Sequence, residues 1–323
     1  MNITKGNRIK ILINDESLAQ LGSPYQKSES LVLSILKQHA DLLNRHCSSI
    51  CKRSPETTVT LVKVPKGPVV CVKEYHWRGL MHAAKSLFRT SHGKRTFFNG
   101  LKLREKGIHV PIPMALVQRM YLGVPRTEWV IMEVIPRALE LDRYLLLLRD
   151  KGLSIVQKRD IVRQFGEFMG RLHRQGIFHS DLKICNILVT DASTVCQADK
   201  QPSSAISQEF KGDYLLRFFP IDYDDVSFSS SISERQCIKN LVQLFLSTPL
   251  FVTFTDRVRF LRAYGRVLEF SRSELRRIAQ KVVSRAWGQT ILYVSPTGDI
   301  VENWTRVSST ALNQKPTRPN PPI

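Results

Sequence analysis

The segment His179-Ser180-Asp181-Leu182-Lys183-Ile184-Cys185-Asn186 constrains the fold of this chain more than any other. It follows a helical pattern that stops at Gly176, where a left-handed residue can end a helix. It precedes the run Ile187-Leu188-Val189, which has strand character. The pattern His-x-Asp-x-Lys-x-x-Asn therefore predicts a polar loop between a helix and a strand. Such a loop brings an acid, a cation and an amide close together.

Those three side chains suit phosphoryl transfer, in which positioning and charge neutralisation supply most of the catalysis. We expect Asp181 to orient the hydroxyl that is phosphorylated and Lys183 to offset charge on the moving group. Asn186 would hold a metal ion on the phosphates. The alternative interpretation of the same residues is a polar loop that caps a helix.

Two further residues strengthen the catalytic interpretation. Lys73 follows the apolar run Val69-Val70-Cys71-Val72, and we expect it to end that strand. Asp222 follows the apolar run Phe219-Pro220-Ile221, where an aspartate could hold a metal ion. In order and context, Lys73, the loop and Asp222 resemble the β3 lysine, catalytic loop and metal-binding aspartate of protein kinases.

This resemblance implies an α+β fold with two lobes, an antiparallel sheet in the N-lobe and mainly helices in the C-lobe. It implies ATP and Mg²⁺ as cofactors, with Lys73 on the phosphates and with Asn186 and Asp222 as metal ligands. It also places the backbone of Glu133 and Val134 in the hinge that would bind adenine. From the letters alone, this last segment is equally compatible with a plain buried strand.

The wider pattern resembles the bacterial lipopolysaccharide core kinases, which phosphorylate Kdo or heptose sugars. The resemblance covers roughly Thr57–Arg285. Its elements are Gly93-Lys94-Arg95 with Asn99-Gly100-Leu101, Gly107-Ile108, Pro111-Ile112-Pro113, Ile221-Asp222-Tyr223-Asp224, Lys239-Asn240-Leu241 with Leu244, and the run from Asp256 to Tyr264. It implies transfer of the γ-phosphoryl group of ATP to a sugar hydroxyl of the lipopolysaccharide inner core.

The chain also departs from protein kinases. A glycine-rich loop is missing, since Pro55-Glu56-Thr57-Thr58 stands in its place. The helix glutamate that pairs with the strand lysine cannot be located, and no Ala-Pro-Glu follows Asp222. These departures argue against an ordinary protein kinase. They leave open an atypical protein kinase of the RIO type and a catalytically inactive pseudokinase or scaffold.

The pattern of runs and breaks predicts the organisation of the chain. We expect an N-terminal extension at 1–55 whose structure the sequence does not determine, an N-lobe at 56–135, a C-lobe at 136–310 and a disordered tail at 311–323. A polar segment at 191–212 predicts a mobile insertion. A strand hairpin at 57–73, a helical stretch at 80–105, a strand pair at 113–135 and four helices at 156–175, 234–246, 255–270 and 273–287 complete the prediction.

Charge indicates the kind of partner. The 323 residues include 48 Lys and Arg against 28 Asp and Glu, a net charge of +20 that favours an anionic partner. The stretch Ser271–Trp287 predicts an amphipathic helix with a basic face, suited to an anionic glycolipid or to solvent. Nucleic acid is disfavoured because no recognised binding motif is present. We expect a cytoplasmic protein, peripheral at the inner face of the inner membrane.

Overall fold

The computed structural model describes residues 3–6, 9–19, 28–45, 49–65, 67–76, 90–121, 123–152, 154–191, 215–249, 251–294 and 300–305. Strands dominate up to Glu133 and helices dominate after it. This arrangement confirms the expected α+β class, with an antiparallel sheet followed by a mainly helical region.

Seven strands form one antiparallel sheet in the order β1-β2-β6-β7-β5-β4-β3. The strands are β1 (Ile3–Gly6), β2 (Ile9–Ile13), β3 (Ile50–Arg53), β4 (Thr57–Lys63), β5 (Val69–Tyr75), β6 (Pro113–Tyr121) and β7 (Val124–Glu133). Burial alternates along β4, as expected for a strand with one covered face. The central strands β5, β6 and β7 carry the longer buried runs.

The first 55 residues take part in this sheet. They supply β1, β2 and β3 together with the helices α1 (Asp15–Ala19) and α2 (Ser28–Arg45). The buried face of α2 contributes Leu31, Val32 and Ile35 to a core shared with the sheet. His39 on α2 also contacts Thr60 of β4, with its Nδ1 atom 2.7 Å from the hydroxyl.

Helix α3 (His92–Glu105) packs on β6 and β7 and buries Phe97 and Leu103. The carboxylate of Glu128 on β7 accepts hydrogen bonds from Ser91 Oγ at 2.6 Å and from Gly93 N at 3.0 Å. An anion at this end satisfies free N–H groups and complements the helix dipole. Of the helical stretch expected at 80–105, residues 80–89 lie outside the described residues.

Five helices build the second region: α4 (Leu141–Asp150), α5 (Ile155–Arg174), α6 (Glu234–Ser247), α7 (Phe254–Val267) and α8 (Arg272–Ala286). Helices α5 to α8 each begin with a capping box, led by Ser154, Ser233, Thr253 and Ser271. The i, i+3 and i+4 spacing of Ile161, Phe165, Phe168 and Leu172 places all four in the core.

Short strands frame the segment between α5 and α6. Strand β9 (Ile177–His179) pairs with β12 (Val226–Phe228), and β10 (Ile187–Asp191) lies between β8 (Leu139–Glu140) and β11 (Leu216–Pro220). The candidate catalytic segment, His179–Asn186, therefore begins at the last residue of β9 and leads into β10. Asp222 follows β11. A separate hairpin joins β13 (Thr290–Val294) and β14 (Ile300–Thr305).

One strand end differs from the expectation. Strand β5 does not end at Lys73 but continues through Glu74 and Tyr75, because both residues pair with neighbouring strands on either side. Lys73 therefore lies inside the sheet. Residues 192–212 of the expected insertion and the expected tail lie outside the described residues. None of the described helices has the length and apolar character needed to cross a lipid bilayer.

Candidate active site

The backbone of the catalytic segment is fixed from three sides. Gly176, at φ +69°, ends the turn after α5, and the backbone carbonyl of Ser229 approaches it too closely for a Cβ atom. His179 is buried, and its Nε2 atom lies 2.9 Å from the carbonyl oxygen of Ile221. Asn240 on α6 donates a 2.6 Å hydrogen bond to the carbonyl oxygen of His179.

The buried imidazole of His179 acts as a spacer between the catalytic segment and the strand end that leads to Asp222. Burial lowers the pKa of His179, although the contact with Ile221 and the nearby carboxylates oppose this. A neutral ring can then donate from Nε2 to the Ile221 carbonyl and accept at Nδ1 from the Asp181 backbone N–H, 3.3 Å away.

The three polar residues of the segment contact one another. The ammonium of Lys183 lies 3.0 Å from Oδ1 of Asp181, and both side chains are about half exposed, at 52% and 51%. Asn186 donates from Nδ2 to the backbone carbonyl of Asp181 at 2.8 Å and to its Oδ2 atom at 3.3 Å. The carboxylate of Asp181 is thus oriented by two neighbours and open to solvent.

Lys73 and Asp222 form an ion pair, with Nζ 2.6 Å from Oδ1. The charge of Lys73 lowers the pKa of Asp222 to about 2 against the opposing effect of burial. Burial alone would lower the pKa of Lys73, but the carboxylates of Asp222 and Asp224 hold it above its usual value. Both groups are therefore charged at neutral pH. A second cation, Lys52 on β3, lies 3.8 Å from Oδ2 of Asp222.

One cavity of about 310 Å³ joins these groups. Its lining includes Lys52, Lys73, Asp181, Asp222 and Asp224. Residues from the sheet, the catalytic segment and the turn after β11 therefore face one space. This places three of the sequence-derived site residues in direct reach of a shared ligand.

The expected hinge lies outside that cavity. Glu133 ends β7 opposite Val70 of β5, and its backbone N–H donates to the carbonyl oxygen of Ile112 at 2.9 Å. Its carboxylate accepts from the Ile112 backbone N–H at 3.3 Å, and burial raises its pKa. Val134 follows directly, outside the strand. Neither residue lines the cavity around Lys73 and Asp181.

The donor set around Asn186 and Asp222 fits Mg²⁺. Hard oxygen atoms of a carboxylate and an amide are the ligands that this ion prefers, and it takes its remaining ligands from phosphates and water. Nδ2 of Asn186 is engaged with Asp181, which leaves its Oδ1 atom as the ligand atom. Over the described ranges, no group of three or more His, Cys, Asp or Glu side chains is arranged for a metal ion.

Sequence reasoning missed several residues at the site. Lys52 lies on a strand that the sequence did not predict. His92, Arg95 and Asn99 of α3 contact the turn that follows Asp222. Arg95 and Asn99 belong to the segments Gly93-Lys94-Arg95 and Asn99-Gly100-Leu101, which carried the family resemblance without a physical role, whereas His92 lies just before the first segment.

The fold and the arrangement of these polar residues are typical of the protein-kinase-like phosphotransferases. A solved structure described as "WaaP in complex with acyl carrier protein" is similar, with a TM-score of 0.54 and 19% sequence identity. The similarity covers 85% of this chain and 97% of that one, and it confirms the two-lobed kinase-like fold.

The sequence model described as "Lipopolysaccharide kinase (Kdo/WaaP) family" matches residues 51–202. No curated protein sequence matches this chain. The matched range contains Lys73 and the whole catalytic segment. Residues 51–202 of the chain are therefore similar to the lipopolysaccharide kinase (Kdo/WaaP) family, the family that the sequence motifs resemble.

Proposed function

We propose that the chain transfers the γ-phosphoryl group of ATP to a sugar hydroxyl of the lipopolysaccharide inner core, on Kdo or heptose. The observation that carries this proposal is the shared cavity in which Lys73, Asp181 and Asp222 meet. The similarity of residues 51–202 to the lipopolysaccharide kinase family supports a kinase acting in lipopolysaccharide synthesis. ATP as donor and the inner-core sugar as acceptor are the finer parts of the proposal.

Each residue has a part in this reaction. Mg²⁺ would neutralise charge on the phosphates, held by Asn186 and Asp222. Lys73 would bind phosphate oxygens of the nucleotide. Asp181 would accept the proton of the sugar hydroxyl through its exposed carboxylate, and Lys183, 3.0 Å from that carboxylate, would offset charge on the transferred group.

Glu133 and Val134 would bind adenine through backbone groups at the end of β7. The link from β7 to β8 would then be the hinge between an N-lobe ending near residue 135 and a C-lobe beginning near 136. We propose that residues 1–55 belong to the N-lobe, because β1, β2 and β3 are strands of its sheet.

An anionic glycolipid at the inner face of the membrane is the proposed acceptor. On α8, Arg277 and Lys281 pair with Glu234 of α6 and so serve packing in part. Arg272, Arg276 and Arg285 are exposed on the same helix, as is Trp287 just after it, at 65%. Exposed arginines beside an indole suit the headgroup region of an anionic bilayer.

An acyl carrier protein is a second proposed partner. A largely apolar cavity of about 570 Å³ lies between α4, α5, α6, α7 and α8, with Phe254, Val283 and Arg276 in its lining. Phe254 is 70% exposed and Val283 40%. The similar WaaP structure contains an acyl carrier protein. A cavity of this size and polarity could accept an acyl chain, and the arginine could contact an anionic carrier.

The first test is ATP consumption by purified protein with Mg²⁺, with and without lipopolysaccharide core acceptor, beside the Asp181→Ala variant. We expect turnover that depends on the acceptor, phosphate on the sugar, and loss of both in the variant. Phosphate found only on protein acceptors would favour the RIO-like alternative. Nucleotide binding without turnover on any acceptor would favour the pseudokinase or scaffold alternative.

A further inference from the structure

Helix α3 lacks the acidic residue that its place in the fold calls for. In protein kinases, a glutamate of the corresponding helix pairs with the strand lysine and holds helix and sheet in the active arrangement. The only acidic residue of α3 is Glu105, at its C-terminal end. Lys73 instead pairs with Asp222. The contact between α3 and the site is therefore made by residues other than a lysine–glutamate pair.

Two basic residues of α3 contact the acidic turn that follows Asp222. His92 Nδ1 lies 2.7 Å from Oδ2 of Asp224. Arg95 lies 3.0 Å from Oδ1 of Asp225, and its Nε atom donates to the backbone carbonyl of Asp224 at 3.1 Å. The Arg95 side chain is 14% exposed and that of Asp225 is 39% exposed, so this contact is partly shielded from solvent. The polarity is the reverse of that in protein kinases, with the Arg95 cation on the helix and carboxylates on the turn.

Asn99 completes the contact through the backbone. Its Nδ2 group points at the carbonyl oxygens of Tyr223, Asp224 and Val226, at 3.0, 3.1 and 3.3 Å. Three acceptors around one amide group fix the path of the turn more tightly than a single hydrogen bond would. Exchange of this amide for a carboxylate would set an anion against three carbonyl dipoles.

Gly100 allows the helix to approach this closely. A Cβ atom there would lie 2.5 Å from Cγ of Pro113 and 3.0 Å from the ring of Tyr223. The Tyr223 ring is fully buried, and its hydroxyl donates to the carbonyl oxygen of Pro111 at 2.8 Å. Helix, turn and sheet therefore meet around one tyrosine.

The turn holds Asp222 in an uncommon backbone conformation. Its φ and ψ angles are 55° and 39°, in the left-handed region that residues with a side chain rarely adopt. Such a conformation persists when the surroundings determine it. The surroundings here are the contacts of His179 and Asn186 with Ile221 on one side and those of α3 on the other.

We propose that His92, Arg95 and Asn99 are positioning residues that hold the turn 223–225, so that Asp222 presents its carboxylate to the metal-bound nucleotide. This network replaces the lysine–glutamate pair of protein kinases as the link between helix and site. The inference rests on the proposed function and extends it to residues that do not contact the substrate.

The test compares Asn99→Asp and Arg95→Ala with the control Lys94→Ala. The control removes one positive charge from the same helix, and none of the described contacts joins Lys94 to the turn. The binding of a fluorescent ATP analogue is titrated with Mg²⁺, and kcat and KM for ATP are measured with acceptor. We expect the Mg²⁺ concentration for half-maximal binding to rise at least tenfold in both variants. We also expect kcat to fall by about 10²-fold, as for a misplaced catalytic group.

In Arg95→Lys, which keeps the charge, we expect at least partial recovery of Mg²⁺ dependence and kcat. Melting temperatures separate lost positioning from lost folding; if Asn99→Asp does not fold, Arg95→Ala and Arg95→Lys decide the outcome. If the parent protein is active but the Mg²⁺ dependence and kcat of the variants lie within twofold of those of Lys94→Ala, the inference is overturned and the proposed function is not. A parent protein that binds no Mg²⁺–nucleotide would overturn the proposed function, and the inference with it.

Discussion

The ammonium group of Lys73 lies 2.6 Å from Oδ1 of Asp222, although the two residues are 149 positions apart in the chain. Lys73 comes from the centre of the antiparallel sheet and Asp222 from the turn after β11. This contact is one of those that join the two regions at the site. In the proposed reaction, Lys73 would bind the phosphates of the nucleotide and Asp222 would bind the metal ion. We therefore expect each to be needed for activity beyond its part in the ion pair.

Replacement of Lys73 by methionine should remove phosphate binding while it keeps the length of the side chain. We expect kcat to fall by roughly 10²–10³-fold, because a buried charge aimed at the phosphates is lost. The pKa of Asp222 should rise from its value of about 2, since the nearby cation is the main cause of that low value.

The matched control is Lys63→Met, at the exposed end of the neighbouring strand β4. Steady-state kinetics with saturating acceptor measure the loss in Lys73→Met, and thermal unfolding shows whether the fold is kept. Equal activity in the two variants would show that Lys73 does not contribute to phosphate transfer.

Replacement of Asp181 by asparagine should separate proton acceptance from positioning. The amide keeps the shape and can still contact Lys183, but it cannot accept the proton of the hydroxyl. General-base contributions are typically 10²–10⁴-fold, so we expect a loss in kcat of that order with little change in KM for ATP. Single-turnover measurements of phosphate transfer would show this, and a change confined to KM would contradict the role.

The sequence predicted which residues of the candidate site are neighbours where these residues are close in the chain. His179, Asp181, Lys183 and Asn186 lie within one loop, so their spacing alone requires them to be neighbours. The α+β class was implied by the resemblance to kinases, and the structure has the strand-rich first part and mainly helical second part that this class requires. The roles of Glu133, Val134 and the other site residues stay predictions until the variants are measured.

The network of α3 could not be predicted in the same way. His92 and Asp224 are 132 positions apart, and only the folded chain shows that they meet. The strand β3 was missed because Ile50-Cys51-Lys52-Arg53 has one apolar residue followed by polar ones, and its burial is low. An edge strand of this kind is stabilised by pairing with the neighbouring strand rather than by a buried apolar face.

Helix packing in the second region gives a prediction about stability. A Cβ atom on Gly166 of α5 would lie 2.5 Å from the carbonyl oxygen of Phe260 on α7 and 3.0 Å from Cβ of Ala263. In an open helix, alanine would stabilise relative to glycine by about 0.5–1 kcal/mol. Here we expect Gly166→Ala to lower the free energy of unfolding by about 1–3 kcal/mol, because the two helices must separate. Urea denaturation measures this, and an increase in stability would contradict the close contact.

The buried imidazole of His173 gives a prediction about pH. Burial lowers the pKa of His173 to about 4, although a contact with Asn240 opposes this. The Tyr264 hydroxyl, 2.8 Å from its Nδ1 atom, and the Cys237 thiol beyond it are both uncharged in the acidic range. The ring therefore has no carboxylate partner among these neighbours that would favour its protonated form.

The sign follows from proton binding in the two states. Unfolded chains take up this proton near pH 6.5, while the folded chain resists it until about pH 4. Stability from this group is thus complete above pH 6.5 and is lost as the pH falls towards 4, by about 2 kcal/mol at pH 5. We expect His173→Gln, which can still hydrogen-bond Tyr264 and Asn240, to show a smaller drop in melting temperature between pH 7.5 and pH 5 than the parent protein. Equal drops in the two proteins would mean that His173 is protonated in the folded chain as readily as in the unfolded one.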